Sequence, residues 1–560
     1  MPHRDRPMQL PRSRRQTTMS KTASAAVPAS NALPATRRAI SPWLVAAAVV
    51  VPTFMEVLDT TIANVALRYI AGGLSAAVTD SEWVVTSYLA ANAVILPVSG
   101  WLSANLGRRN YFLLSIAVFT LSSGLCGMAA SLNQLILFRV MQGLAGGGLQ
   151  PSSQAVLLDT FPPKQQGTAM TIFGVAALLA PIVGPTLGGW LTDNYSWRWI
   201  FYINLPAGTI AFLASYFLLS DPDYLQQARA ELRKRPLQFD AAGLGLLVVM
   251  MVCWEVILSK GQEWDWLGDP SGRVQVLMIL FVLSLAGLIF RELRIADPVV
   301  NFKPLADRNF MMACIIIFCA FGVLYGASTL LPGLLQSLFG YDAFHAGLVM
   351  SPSGVFAIMT MIIVGTLLGR GIDARWLIGI GLCVVSAANF WMSRMNLDIS
   401  PGQVVWPRVM LIVGLSMTFA PISVAAYMYI PRELRGAAVG LYSLLRNEGG
   451  SVGTSMGQTL TERREQFHTL RLGEYLDPLN PAANSFLDQS QATFMQQTGD
   501  PALSHQMALR NLSDLRDQQA LALSYFDCFW LFGVLAAALV FLVPLMRRSI
   551  PGKGAHAAAE

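Results

Sequence analysis

Charged residues are scarce in this sequence. Asp, Glu, Lys and Arg make up 13% of its 560 residues, whereas 54% are hydrophobic, and the mean hydropathy is +0.49. So few charges leave too little polar surface to cover a soluble globule, because exposed apolar patches on soluble proteins are small. The composition excludes an ordinary soluble domain and favours a protein surrounded by lipid.

Cysteine is also rare, and its pattern excludes several kinds of site. The cysteines lie in or beside apolar runs, without a CxxC spacing and without histidine partners. We interpret them as small core residues rather than as disulfides or zinc ligands. They are Cys126, Cys253, Cys314, Cys319, Cys383 and Cys528.

Motifs of catalysis and of nucleotide binding are missing. The sequence has no convergent set of His and Asp for a metal, no Gly-x-Ser-x-Gly elbow and no Gly-rich phosphate loop with a lysine. A membrane enzyme and an ATP-driven pump are therefore disfavoured, and no metal or cofactor is predicted. The net charge of +6 is scattered between apolar runs, which argues against binding of nucleic acid.

Long apolar runs are what the sequence has in abundance. A helix needs about 20 apolar residues to cross the hydrocarbon of a bilayer. Fourteen such runs predict an all-α integral membrane protein with fourteen spans. They lie near 43–67, 82–103, 111–130, 134–157, 168–192, 199–219, 240–259, 274–290, 310–337, 343–367, 376–393, 405–429, 436–460 and 519–546.

Lysine and arginine are distributed unequally between the connections of these runs. Basic residues are retained on the cytoplasmic side of a membrane protein. A cytoplasmic N-terminus assigns most of them to inner connections, and both termini are then predicted to be cytoplasmic. The short outer loops keep only Arg68, Arg198, Lys260, Arg273, Arg394 and Arg408.

A polar interruption at 220–239 separates the first six runs from the rest, and a second at 461–518 lies between the last two runs. We count the runs as six, an additional pair, and six, because repeated halves are common in secondary transporters. Because long loops are uncommon without a function, we expect the polar segment 461–518 between the last two runs to bind a partner. The predicted segments are a disordered basic tail (1–42), an N-terminal six-helix bundle (43–219), a cytoplasmic linker (220–239), an additional helix pair (240–292), a cytoplasmic connection (293–309), a C-terminal six-helix bundle (310–547) that includes 461–518 on its outer side, and a cytoplasmic tail (548–560).

An ionisable carboxyl lies inside the first apolar run. Asp59 is about 16 residues into this helix, or roughly 24 Å along it, which places it beyond the midplane toward the outer half. A charge at membrane depth usually faces a bundle interior or a water-filled pathway, so Asp59 is a candidate for function. Glu56 lies on the same helix face. Two neighbouring carboxyls in a low dielectric resist ionising together, so either one carries a proton or Glu56 is a structural hydrogen-bond partner.

Other ionisable residues have two interpretations each. Glu255 either lines a pathway or reaches the outer interface, and Asp527 is ambiguous in the same way. Glu448 either titrates or pairs with Arg446. His345 lies near a span interior, where a lone histidine is more often structural than functional.

Five segments carry a family resemblance. Residues 58–67 contain the carboxyl and amide of the first run, and 100–109 form a Gly- and Arg-containing turn. Residues 139–143 place an arginine inside the fourth run, and 180–190 combine glycines that allow close helix approach with prolines that favour a kink. With 446–454, these segments resemble the fourteen-helix drug:proton antiporter family of the major facilitator superfamily, particularly its EmrB-like inner-membrane pumps.

The chain departs from that family pattern at two positions. Arg68 stands where the first-helix motif usually closes with proline, and Ala104 stands where many relatives carry Asp in the turn. A gating contact that depends on that carboxylate would need a carboxylate from another position of this chain.

The resemblance implies roles for individual residues. These roles are proton coupling for Glu56, Asp59 and Arg139, a gating turn for Gly100, Gly107, Arg108 and Arg109, and substrate pathway or helix packing for Asn64, Gln142, Gly184, Pro185, Gly188, Gly189, Arg446 and Glu448.

The resemblance also implies an activity. We expect a major facilitator fold that exports hydrophobic or amphipathic compounds across a bacterial inner membrane in exchange for protons, with the proton gradient as its energy source and no cofactor. Segment 461–518 is expected to dock a periplasmic adaptor protein that leads to an outer-membrane channel. Alternatives are export of a specific metabolite or fatty acid and import of a nutrient, and the 180–190 motif, associated with exporters, disfavours import.

Overall fold

The computed structural model describes most of the chain between residues 41 and 550. The described residues are 41–162, 165–221, 225–226, 240–295, 298–397, 400–477 and 479–550. Almost all of the predicted tail 1–42, most of the predicted linker 220–239 and most of the tail 548–560 lie outside them.

Within this described part of the chain, every regular element is a helix. The first half contains α1 (Pro42–Gly73), α2 (Val78–Ser81), α3 (Trp83–Leu106), α4 (Arg108–Met128), α5 (Leu132–Gly146), α6 (Leu149–Thr160), α7 (Gln166–Asn194), α8 (Trp199–Tyr202) and α9 (Asn204–Leu218). The additional pair is α10 (Ala241–Lys260) and α11 (Arg273–Glu292). The second half contains α12 (Arg308–Leu338), α13 (Ala343–Met350), α14 (Pro352–Gly369), α15 (Ala374–Met392), α16 (Pro401–Tyr427), α17 (Arg435–Gly473), α18 (Pro481–Thr498) and α19 (Pro501–Val540).

Twelve helices among the described residues are long and apolar enough to cross a membrane. Two predicted spans fall outside this set. The run 134–157 is divided between α5 and α6, where a Cβ on Gly147 would lie 2.6 Å from the carbonyl oxygen of Asn92. The run 436–460 is helical within α17, but this helix carries many polar residues.

The helices form two bundles with an interface between them. In the first half α1 packs against α7 and α9, and α3 packs against α5; in the second half α12 packs against α17, and α15 packs against α16. The halves meet where α3 contacts α17 and where α7 contacts α14 and α16. Helix α10 lies against both α3 and α17, so the additional pair borders this interface.

The two halves are in backbone contact at one end, which we call the closed end. A Cβ on Gly100 would lie 2.9 Å from the carbonyl carbon of Gly436, and a Cβ on Gly440 would lie 2.8 Å from the carbonyl oxygen of Leu96. Glycine allows this approach because it has no side chain. The closed end carries the turn 100–109.

Segment 461–518 is helical, which corrects the expectation of a long polar loop. Helix α17 continues to Gly473, α18 fills the middle, and α19 begins at Pro501. Asn480 and Asp500 cap α18 and α19, each followed by a proline whose missing N–H costs nothing in the first turn. Gly499 ends α18 in the left-handed region with φ of 67°. These local signals outweigh the polar composition.

Ion pairs fasten this helical segment at its base. Arg464 lies 2.5 Å and His468 lies 2.8 Å from Asp527 Oδ2, which joins α17 to α19. Arg463 lies 3.2 Å from Asp265 in the connection between α10 and α11. We call 461–518 the helical extension.

Candidate functional site

A fully buried ion pair joins α1 to α5. Arg139 Nη1 lies 2.5 Å from Asp59 Oδ2, and neither side chain is exposed. Gln142 and Asn204 each donate an amide N–H to Asp59 Oδ1, over 2.9 and 2.8 Å. Both carboxylate oxygens are therefore bonded, as a buried charge requires. The structure thus brings together three of the residues singled out in the sequence and adds Asn204 from α9.

The remaining surface of the Arg139 guanidinium is covered by backbone and aromatic rings. Its Nε donates to the carbonyl oxygen of Val84 over 3.1 Å. The guanidinium carbon lies 4.3 Å from the ring centroid of Tyr88 and 5.5 Å from that of Phe201. Cation–π contacts of this kind are strongest when the cation is desolvated. Arg139 is consequently fixed in one position.

Glu56 lies one turn from Asp59 on α1 but has different surroundings. Its Oε1 accepts from Asn92 over 3.0 Å and from the Tyr88 hydroxyl over 3.5 Å. Its Oε2 accepts from Gln150. No described cation lies within ion-pair distance, so amides and a phenol hold this carboxyl. Tyr88 contacts both Glu56 and Arg139 and therefore links the two environments.

A cavity of about 210 Å³ lies between the halves. It is lined by α1, α3 and α6 of the first half, by α10, and by α12 and α17 of the second half. Glu56 and Asn64 line it, whereas Asp59 and Arg139 are not among its lining residues. Of the two first-helix carboxyls, Glu56 is thus the one in contact with this space.

Glu255 of α10 also lines the cavity and is only 3% exposed. Its Oε1 accepts from the Ser451 hydroxyl of α17 over 3.2 Å. Glu448 is 6% exposed. The alternative placement of Glu255 at the outer interface is therefore wrong.

Arg446 is buried without an ion pair to any described carboxylate. Its hydrogen bonds reach only the side chain of neighbouring Asn447, over 3.4 Å. Its guanidinium carbon lies 5.5 Å from the ring centroid of Phe321. Glu448 forms no ion pair with Arg446, so the structure does not support the predicted alternative that these two residues pair.

The Gly and Pro residues of 180–190 bring α7 close to α1. A Cβ on Gly184 would lie 2.2 Å from Thr61 Oγ1, and a Cβ on Gly188 would lie 2.7 Å from Ile62 Cγ1. Pro185 is inside the helix, and Gly189 is buried in it. The glycines therefore permit the helix contact that the motif predicts.

The turn 100–109 is held mainly within the first half. Gly107 has φ of 88°, a conformation that favours glycine, and it directly precedes α4. Arg108 forms an ion pair with Asp159 and donates to the carbonyl oxygen of Ala155 over 3.3 Å. Arg109 donates from Nη2 to the carbonyl oxygen of Tyr216 over 2.7 Å.

Asp159 also connects the halves at the closed end. Its Oδ1 lies 3.9 Å from Arg435 of α17, while its Oδ2 binds Arg108. A carboxylate from α6 thus contacts arginines of both halves near the turn in which Ala104 stands, and the motif comparison did not reveal this position.

Two other sequence candidates lie away from the cavity. His345 is exposed and its Nδ1 lies 2.7 Å from Asp342, which caps α13. Asp527 binds Arg464 and His468 at the base of the helical extension. Neither borders the space between the halves.

The sequence prediction missed Arg408, which it assigned to an outer loop. Arg408 lies in α16 with 0% exposure and donates to the Ser328 hydroxyl over 2.8 Å. Its Nε and Nη1 have no hydrogen-bond partner. The signal was an internal repeat, because Ser-x-x-Gln-x-x-x-x-Arg-Val-Met occurs at 131–141 and again at 400–410.

The family model of the Major Facilitator Superfamily matches residues 49–454. This match covers most of the chain and both bundles. The chain belongs to the major facilitator superfamily. Among solved structures, the human organic anion transporter MFSD10 aligns with a TM-score of 0.53 at 14% identity, covering 90% of this chain and 99% of that one, which supports the same fold.

Sequence relatives of this chain are named for multidrug export or for resistance. The chain is 34% identical to the multidrug export protein EmrB of Escherichia coli strain K12, over 90% of this chain and 96% of the relative. It is 36% identical to EmrB of Haemophilus influenzae over 86% and 90%. It is 33% identical to the fatty acid resistance protein FarB of Neisseria gonorrhoeae over 90% and 96%. The resemblance inferred from the five segments is confirmed.

Proposed function

We propose that this protein exports hydrophobic or amphipathic compounds in exchange for protons across a bacterial inner membrane. The relatives named as multidrug exporters support export, and the cavity between the halves supports alternating access. The observation that carries the proton coupling is Glu56, a buried carboxyl that lines this cavity and forms no ion pair with a described cation. The proposed topology has fourteen spans, with α5 and α6 together forming one, and both termini in the cytoplasm.

In this topology the closed end faces the cytoplasm. The cavity residues Asn64, Glu82 and Gln458 lie toward the opposite ends of α1, α3 and α17. The described conformation is therefore closed to the cytoplasm, and its cavity lies on the outer side. Protons from outside reach Glu56 in this state.

Asp59 and Arg139 take a different role from Glu56 in this scheme. Their ion pair fixes the part of α1 on which Glu56 is carried, and Tyr88 contacts both Glu56 and Arg139. Movement of a proton onto Glu56 changes the charge beside Tyr88. The hydrogen bond between them then transmits the change to the ion pair, so that the first half responds to protonation.

The test separates the two carboxyls of α1. Purified protein is reconstituted in vesicles, and substrate uptake is driven by an acidic interior. We expect Glu56→Gln to abolish proton-driven uptake while keeping downhill exchange of substrate, and Asp59→Asn to abolish both because the buried pair is lost. Glu433→Gln, which changes an exposed carboxyl outside the cavity lining, is the matched control. Normal proton-driven uptake by a correctly inserted Glu56→Gln protein would refute this assignment.

We also propose that the helical extension docks a periplasmic adaptor protein that leads to an outer-membrane channel. Leu470, Tyr475 and Leu479 on it are 74%, 65% and 85% exposed. Exposed apolar side chains grouped on a polar segment are typical of interaction surfaces. Replacing 470–498 with a short Gly/Ser linker removes these three side chains together with α18 and leaves Arg464 and Asp527 in place. This change should leave vesicle transport intact and abolish co-purification with the adaptor.

The control for docking is a polar change elsewhere on the helical extension. Gln496→Ala alters an exposed side chain of α18 without removing apolar area. Adaptor binding that survives both the replacement of 470–498 and Leu479→Ser would count against docking at this surface.

A further inference from the structure

Arg408 places a positive charge inside the second half. Its side chain in α16 is 0% exposed, and arginine stays protonated in proteins. A buried charge is costly unless it is paired and hydrogen-bonded. The Ser328 hydroxyl, a neutral group, accepts from Nη2 over 2.8 Å, and no described carboxylate forms an ion pair with this guanidinium. The charge of Arg408 therefore has no counter-ion among the described residues.

The guanidinium of Arg139 shows which partners such a group has in the first half. Its Nη1 lies 2.5 Å from Asp59 Oδ2, and its Nε donates to the carbonyl oxygen of Val84 over 3.1 Å. In Arg408 the same two nitrogens, Nη1 and Nε, have no hydrogen-bond partner in the described part of the chain. The two nitrogens that bind acceptors in the first half are thus the two that are unpaired in the second.

The internal repeat explains where the acceptor was lost. Each arginine bonds to a side chain on the first long helix of its own half, Asp59 on α1 and Ser328 on α12. Serine is shorter than aspartate by two heavy atoms and carries no charge. A hydroxyl that accepts a hydrogen bond is still able to donate one. The change from a carboxylate to a hydroxyl therefore removes an anion and adds a donor.

The groups at this position have the chemistry of an anion site. Nε–H and Nη1–H of Arg408 are donors on a single positive charge, and the Ser328 hydroxyl supplies a further donor. Hydrogen bonds from a charged donor to an anion are about twice as strong as neutral ones. A monovalent anion neutralises the buried charge, whereas a divalent anion would leave a buried negative charge in its place.

We propose that Arg408 and Ser328 bind a small monovalent anion of the chloride class, which takes in the second half the role that the Asp59 carboxylate has in the first. The ion joins α12 to α16 and stabilises the second bundle. Neither Arg408 nor Ser328 lines the cavity between the halves. The inference therefore goes beyond the proposed function and does not rest on it.

The test measures the unfolding temperature of the purified full-length protein in sodium chloride, sodium bromide and sodium gluconate at equal ionic strength. A ligand that binds only the folded state raises stability as its concentration exceeds its dissociation constant. Chloride and bromide should raise the unfolding temperature in a saturable way. Gluconate, a monovalent carboxylate too large for a buried site, should not. An unfolding temperature that is the same in all three salts would overturn the inference.

Two variants remove the anion site by opposite means. Arg408→Met removes the donors, and Ser328→Asp supplies a carboxylate from the chain itself. Both should lower the apparent chloride affinity at least tenfold, and in gluconate Ser328→Asp should unfold at the higher temperature of the two. Arg394→Met, which removes an exposed arginine just after the end of α15, is the matched control and should keep the chloride response. A chloride response that persists in both Arg408→Met and Ser328→Asp would reject this site.

A measurement on the unmodified protein does not depend on the folding of any variant. Crystals grown in bromide should show an anomalous scattering peak within hydrogen-bond distance of the Arg408 guanidinium. Bromide sites elsewhere without one at Arg408 would also overturn the inference. None of these measurements uses transport, so their outcome is independent of whether the protein exports its substrates in exchange for protons.

Discussion

The two halves of the protein each bury an arginine at the same place in a repeated motif, but the two arginines have different partners. Ser131 and Ser400 precede these helices. In each helix a glutamine oxygen accepts a backbone N–H at the helix start: Gln134 from Ala130, and Gln403 from Ser400. Arg139 then meets a carboxylate, whereas Arg408 meets only a hydroxyl.

The comparison extends to the helices that supply the partners. Asp59 lies three residues after Glu56 on α1, and Ser328 lies three residues after Tyr325 on α12. Glu56 and Tyr325 both line the cavity. In the second half the position that corresponds to Asp59 is thus a hydroxyl, Ser328, and the position that corresponds to Glu56 is a phenol, Tyr325.

The largest expected effect comes from removing Arg139 from its ion pair with Asp59. Arg139→Met leaves Asp59 buried without a counter-ion, which costs about 3–5 kcal/mol of stability. The free energy of unfolding in detergent measures this loss, and transport should be abolished. Stability equal to that of the unmodified protein would show that Asp59 does not depend on Arg139.

A smaller loss is expected where glycines hold α17 against α12. A Cβ on Gly453 would lie 2.1 Å from the carbonyl oxygen of Gly322, which is backbone and cannot move aside. Gly453→Ala should cost about 1–3 kcal/mol through overpacking. Gly188→Ala in the first half should cost less, because the nearest atom, Ile62 Cγ1 at 2.7 Å, belongs to a side chain and not to the backbone. Thermal unfolding of both variants, with Gly473→Ala as the unhindered control, decides the order.

Giving the second arginine a carboxylate should stabilise the protein. Ser328→Asp places an acceptor beside Arg408, and a hydrogen bond to a charged group contributes about 1.5–3 kcal/mol. The expected outcome is a higher unfolding temperature, with Ser328→Asn as the uncharged control. A lower unfolding temperature for the Asp variant would mean that Arg408 already has a satisfied environment.

The smallest effect is expected from removing Arg408 itself. Replacement of a poorly paired buried charge by an apolar residue of similar volume is often neutral or stabilising. Arg408→Met should therefore change stability by less than about 1 kcal/mol, in contrast to Arg139→Met. The difference between the two variants, measured under the same conditions, tests the comparison directly.

Hydropathy predicted the membrane helices because apolar length alone determines whether a helix spans lipid. It placed Arg408 in a loop, since basic residues were assigned to connections, and a buried arginine violates that rule. The spacing from Ser400 to Arg408 repeats that from Ser131 to Arg139, and this repeat indicates that Arg408 lies inside a helix.

Contacts between distant segments were the least predictable. Asp59 and Arg139 were found as motif residues, but Asn204 joins them only through the packing of α9. The sequence left open whether Glu448 pairs with Arg446. On a helix, residues two apart point to different sides, so nearness in sequence did not make these two residues partners.

The length of α17 has a mechanical consequence. Its 39 residues span about 58 Å at 1.5 Å per residue, nearly twice the hydrocarbon thickness of about 30 Å. A rigid rod of that length acts as a lever. If the second half tilts by about 10° around the membrane midplane, a tip about 40 Å away is displaced by about 7 Å. The position of the tip of the helical extension, far outside the membrane, would thus depend on the side to which the cavity is open.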